Sequence, residues 1–240
     1  MISRNQNYIT LKSYARTAGI LYLLIILLAG FSEGYIRSGI IVSGDAAATA
    51  DNILASKFLF RFGFVSDLIA FICDAVVAIL LYVLLKPVNK TLALIAAVLR
   101  LIAHPAIGSL NLINHISALQ VLNNPDLLTA FGREQLQLVA QQFLSAHKTG
   151  YLIAGAFFGV HCLLLGYLLF KSELFPKILG IMIFIASIGY LTESFGTSLF
   201  PEYSGVFGMI VVIPAVIAEL SLCLWLLIKG IKNTDQMIAV

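Results

Sequence analysis

The stretch FLFRFGFVSDLIAFICDAVVAILLYVLLK, residues 58–86, decides the fold: between Phe58 and Lys86 the only charged side chains are Arg61, Asp67 and Asp74, and no proline interrupts it. At ~1.5 Å per residue, a helix over this run outreaches the ~30 Å hydrocarbon core of a bilayer. A barrel strand would alternate apolar and polar positions over about ten residues, which this run does not do. It reads as a membrane-crossing helix that carries two carboxylates in its interior.

Outward from it the pattern recurs. Apolar runs bounded by polar or turn-forming residues predict spans near 17–43, 58–86, 91–121, 148–170, 178–200 and 205–228. Composition agrees, with 60% hydrophobic residues, 11% charged residues and a mean hydropathy of +0.98. The expectation is an all-α polytopic membrane bundle of about six transmembrane helices, one domain over 1–240, with the lipid bilayer as its first partner. The first run follows Lys12 and Arg16 but shows no small-residue cleavage pattern, so it is expected to stay as an uncleaved helix.

Loop charge sets the expected orientation. Arg4, Lys12, Arg16, Lys86, Lys90, Lys171, Lys177, Lys229 and Lys232 fall on one side, against Lys57, Arg133 and Lys148 on the other, which puts both termini in the cytoplasm. The net charge of +3 therefore reflects topology and excludes nucleic acid as a partner. On the opposite side, Asn124-Pro125-Asp126 reads as a capped helix start, followed by Leu128, Phe131, Leu136, Val139 and Phe143 at near-helical spacing. That predicts a short amphipathic outer helix lying over the bundle. Gly44-Asp45 supplies a turn and a second cap. Cys73, Cys162 and Cys223 fall in different spans, as packing residues rather than a disulfide or metal set.

The ionisable residues inside the spans carry whatever function is legible. Counting rise from the lysine-rich end places Asp74, Arg100, His104, His161 and Glu219 roughly 14–20 Å deep, and Glu33, Arg37, Asp67, Asn111 and Glu193 at about 24–30 Å, with Arg61, His115 and His147 beyond. Arg100, His104, Asn111 and His115 form one polar stripe, and Asp67 and Asp74 share a face. An unpaired charge at mid-span costs roughly 2.5–3.5 kcal/mol, so these groups must pair or be neutralised. Asp74 with Arg100 is the first expected pair; Glu33 or Asp67 with Arg37 or Arg61 is the second. The candidate pocket is Glu33, Arg61, Asp67, Asp74, Arg100, His104, Asn111, His161, Glu193 and Glu219. His104 and His161 are the candidate ligands should a divalent metal be held, although no two ligands share one helix at metal-motif spacing. A Gly-x-Ser-x-Gly elbow and a mid-span lysine are both absent, and His104-Pro105 and Ile213-Pro214 offer two expected helix breaks.

The segments Ala15-Arg16-Thr17-Ala18-Gly19-Ile20-Leu21-Tyr22, Gly44-Asp45-Ala46, Asp51-Asn52-Ile53, Phe60-Arg61-Phe62-Gly63-Phe64-Val65-Ser66-Asp67, Leu81 through Lys90 and Leu224 through Gly230 together resemble a family of bacterial integral membrane proteins known as a domain of unknown function, DUF4386. The resemblance implies a multi-helix protein of the bacterial inner membrane and brings no activity or catalytic residue with it. Three functional readings stand on the residues. The first is a buried polar pocket that binds or translocates a small polar or amphiphilic molecule, a lipid or an ion. The second is an intramembrane enzyme on a lipid-like substrate, with His104 and His161 as acid/base groups or metal ligands and Asp67, Asp74 or Glu219 as partners. The third is a structural or partner-binding subunit whose charges staple helices.

Overall fold

The computed structural model describes residues 4–232. The side chain of Arg4, and residues 1–3 and 233–240 at the ends of the expected 1–240 domain, lie outside the described residues. The described chain is helical apart from its connections, without strands. Six helices are long and apolar enough to cross a membrane: Tyr8–Ile40, Lys57–Leu85, Lys90–Leu122, Arg133–Lys171, Lys177–Leu199 and Pro201–Ile228, taken below as the first to sixth spans. The protein is a multi-pass membrane protein. Its lipid-facing surface is apolar, as on the second span, where Ile69, Ile72, Val76 and Ile79 are 41% to 60% exposed.

Local chemistry accounts for the connections. Asp45 caps a short helix, Ala46–Ala55, by accepting from the Ala48 amide at 2.8 Å, after Gly44 turns the chain at φ +79°. Asn89 caps the third span through the Leu92 amide. Asn124 accepts from the amides of Asp126 and Leu127, with Pro125 at the first position of the helix Pro125–Phe131.

The expected amphipathic helix is shorter than its apolar spacing suggested. It stops at Phe131, because Gly132 at φ +79° breaks the direction, and Leu136, Val139 and Phe143 belong instead to the fourth span, which starts at Arg133 and runs without interruption to Lys171. No proline falls within that stretch, so the helix continues from the surface into the membrane.

Of the two expected breaks, neither splits its helix. Pro105 lies in a π-helical stretch, Ile102–Gly108, which absorbs the missing N–H by widening the turn, and Pro214 lies inside the unbroken helix Ser204–Ile228. A second π-helical stretch, Ser32–Arg37, interrupts the first span.

The fourth span is central. It packs along the fifth and against the third, the fifth packs on the sixth, and the first lies against the second and sixth. Two apolar cores result. One, including Tyr22, Leu84, Leu165, Leu168, Phe175 and Leu226, fills the lysine-rich half; the other, including Ile36, Ile53, Phe60, Leu119 and Leu144, fills the half beneath the two short helices.

Candidate functional site

The buried charges sort into two clusters. At mid-span the second, third and fourth helices bring Asp74, Arg100 and His161 together, each 1% exposed. Arg100 donates to Asp74 Oδ1 from Nε at 2.9 Å and from Nη2 at 2.5 Å. Arg100 Nη1 lies 3.2 Å from His161 Nε2, and His161 Nδ1 lies 2.8 Å from the Ala96 carbonyl. A carbonyl only accepts and a guanidinium only donates, so His161 carries its proton on Nδ1 and accepts at Nε2. The rings of Tyr22 and Phe158 flank the guanidinium at 4.8 and 5.2 Å. Glu219 of the sixth span, half-buried, accepts the hydroxyls of Tyr22 at 3.1 Å and of Tyr190 through a short hydrogen bond. One buried polar atom here has no hydrogen bond: Asp74 Oδ2, which has only His104 Nδ1 beside it at 3.4 Å, beyond the usual hydrogen-bond range.

The distal cluster lies nearer the short helices. The π-helical turn of the first span presents Arg37, 4% exposed, which donates to Glu33 Oε2 at 2.5 Å and to Asp67 Oδ2 at 2.7 Å. Glu33 is 70% exposed, while Asp67 is fully buried. The Tyr151 ring faces the Arg37 guanidinium at 5.6 Å and meets His147 edge-on at 5.0 Å, and His147 in turn lies 5.5 Å from His115. Asn111 and His147 clasp the third and fourth spans: Asn111 Nδ2 donates to the His147 carbonyl at 2.7 Å, and His147 Nδ1 donates to the Asn111 carbonyl at 3.1 Å. His115 stacks on Phe60 and donates from Nε2 to its carbonyl at 2.9 Å.

The two clusters differ in how well they are satisfied. Three buried polar atoms of the distal cluster have no hydrogen-bond partner: Asp67 Oδ1, His115 Nδ1 and His147 Nε2. Because His115 and His147 each spend their one proton on a carbonyl, the free ring nitrogens are lone pairs. All three orphans are therefore pure acceptors. Buried polar groups are paired in the large majority of cases, so such a concentration of unmet acceptors calls for a partner.

Of the ten sequence candidates, Asp74, Arg100, His104, His161 and Glu219 meet at mid-span, and Glu33, Asp67 and Asn111 meet in the distal cluster. Arg61 joins neither: it is exposed and lines an open groove with Gln120, Asn123, Asn124 and Asp126. Glu193 sits half-buried on the fifth span, and no hydrogen bond links it to either cluster. His104 and His161 do not fit as a metal pair, since both ring nitrogens of His161 are engaged and one faces a guanidinium. Among the described residues no group of three or more His, Cys, Asp or Glu is arranged to hold a metal. Sequence reasoning missed Tyr22, Tyr151 and Tyr190. For Tyr190 the available signal was its mid-span position, since tyrosine favours the membrane interface and a buried hydroxyl needs a partner.

Comparison with known proteins returns relatives of open function. An uncharacterised protein from Archaeoglobus fulgidus is 32% identical over 189 residues, covering 77% of this chain and 96% of the relative. No solved structure matches the chain. The family model described as a domain of unknown function, DUF4386, matches residues 17–230, which takes in both buried clusters, and the chain belongs to that family.

Proposed function

We propose that this protein binds a small polar solute in the distal cluster and that the mid-span cluster is the staple that fixes the helices around it. The observation that carries this reading is the contrast in satisfaction: three buried acceptors on Asp67, His115 and His147 have no hydrogen-bond partner, whereas the Asp74–Arg100–His161 set has one such atom. A staple gains by pairing every group, and a binding site holds back acceptors for its ligand. The exposure of Glu33 supports entry from that end. An intramembrane hydrolase finds less support, because His161 is held as an acceptor of Arg100 and faces no nucleophile. The setting we propose is the cytoplasmic membrane, with both termini in the cytoplasm, supported by the lysine bias of the loops.

The test is thermal denaturation of the purified protein against a panel of amines, polyols, amino acids and sugars. A solute at 100 times its Kd should add about 2.7 kcal/mol of stability. The gain should vanish in a folded Asp67→Asn variant and persist in a folded Glu219→Gln variant. A flat response to the whole panel, or a gain indifferent to Asp67, rejects the reading.

A further inference from the structure

The ligand class follows from the donor and charge balance of the distal cluster, and this inference rests on the reading of that cluster as a binding site. Its ionised groups are two carboxylates, Glu33 and Asp67, against one guanidinium, Arg37, and both ion pairs are direct. His115 and His147 add no charge, because each donates one N–H to a backbone carbonyl and keeps a lone pair on its other nitrogen. Arg37 and Asp67 balance one another in the interior, and the exposed Glu33 brings the one excess negative charge to the outer edge of the cluster. The cluster is also left with three buried acceptors that receive nothing: Asp67 Oδ1, His115 Nδ1 and His147 Nε2, on residues at most 4% exposed. A ligand that answers both deficits carries a positive charge and several N–H donors. Anions are disfavoured, since the charge of Arg37 is already met by two carboxylates, Glu33 and Asp67. A neutral polyol would meet the acceptors and leave the charge. The Tyr151 face already carries one cation, the Arg37 guanidinium, so an aromatic–cation contact is part of this cluster.

We infer that the distal cluster is a site for an ammonium group, with Asp67 Oδ1 as its counter-charge, His115 Nδ1 and His147 Nε2 as acceptors, and Glu33 at the mouth. The group is the same whether it comes as free ammonium ion or as the head of a primary amine. Binding breaks no covalent bond; it replaces the hydration of the cation by three protein acceptors.

The experiment uses full-length protein in lipid nanodiscs, titrated with ammonium chloride, methylammonium, butylamine, tetramethylammonium and sodium chloride at matched ionic strength. Stability is followed together with the ring ¹⁵N resonances of the four histidines. Ammonium or the primary amines should stabilise saturably and move His115 Nδ1 and His147 Nε2, leaving His104 and His161 in place. Stabilisation by ammonium alone identifies a closed site for the ion, and tighter binding of butylamine identifies an amine head with its tail outside; both support the inference. Asp67→Asn should weaken binding at least about tenfold. Should that variant fail to fold, His147→Phe, which keeps the ring against Tyr151, should do the same. Equal stabilisation by tetramethylammonium, which has no N–H, overturns the inference, as does unchanged affinity in either folded variant. If polyols alone shift the two histidines, the ammonium assignment falls while the solute site stands; no response to any solute removes both.

Discussion

Asp74 and Arg100 show what depth alone can tell. They lie on consecutive antiparallel helices, so counting rise from the shared loop places them opposite each other, and the structure pairs them at 2.5 Å. Direction around the helix is the harder part. Asp67 and Asp74, seven residues apart, return to one face at ~100° per residue, whereas Arg61 and Asp67, six apart, diverge by about 120°, which leaves Arg61 outside. The tyrosines that satisfy Glu219 come from the first and fifth spans, and no local spacing relates them to it. Two predictions belong here. Asp74→Asn or Arg100→Leu alone should cost about 3–5 kcal/mol, and the double replacement should recover much of it, read as a coupling energy in a double-mutant cycle on solubilised protein. Strictly additive losses would show that the pair is not the staple. Tyr22→Phe should cost about 1–3 kcal/mol by uncovering one oxygen of Glu219, and Tyr22→Phe in a Glu219→Gln background should cost less; equal costs in both backgrounds would exclude that role for the hydroxyl.

Among the elements, the spans were legible because a helix in lipid must satisfy its own backbone, which forces long apolar runs into continuous helices. Their ends were less so: the fourth span gains a long extension from Arg133 because the signal that stops it is a single positive-φ glycine, Gly132, rather than a change in apolarity. The π-helical turns were not readable either. Ser32–Arg37 has no proline, and its wide turn accompanies the packing of Ser32, whose hydroxyl reaches the Gly63 carbonyl of the second span at 3.1 Å. Close helix crossings fall at glycines. A Cβ on Gly166 would lie 2.8 Å from the Gly180 carbonyl oxygen, and one on Gly150 would lie 2.2 Å from Asn111 Oδ1. Gly166→Ala should therefore separate the fourth and fifth spans and cost about 1–3 kcal/mol, where Gly205→Ala, with open space around it, should not destabilise. Denaturation midpoints of the two variants decide it, and equal midpoints would show that the crossing yields without cost. Gly150→Ala should displace the Asn111 side chain and so loosen the third and fourth spans beside the distal cluster.

For the whole molecule, the two clusters divide the bundle along its axis, and which one faces the outside determines whether a solute reaches the site from the environment or from the cell. The lysines at the loop between the second and third spans, Lys86 and Lys90, and at the loop between the fourth and fifth, Lys171 and Lys177, lie at the end remote from Glu33, where the helices Ala46–Ala55 and Pro125–Phe131 sit. Positive loops stay in the cytoplasm, so the distal cluster should open outward. The native thiols suit a labelling test, because Cys73, Cys162 and Cys223 are all buried and contribute little background. Thr129→Cys on the exposed face of Pro125–Phe131 should react with a membrane-impermeant maleimide in intact cells. Glu173→Cys, exposed in the loop between the fourth and fifth spans, should react only after the membrane is opened. The reverse pattern would turn the molecule over and make the distal cluster a site for an internal solute. Ligand binding measured on detergent-solubilised protein would be the same in both cases, so the labelling result bears on the direction of access alone.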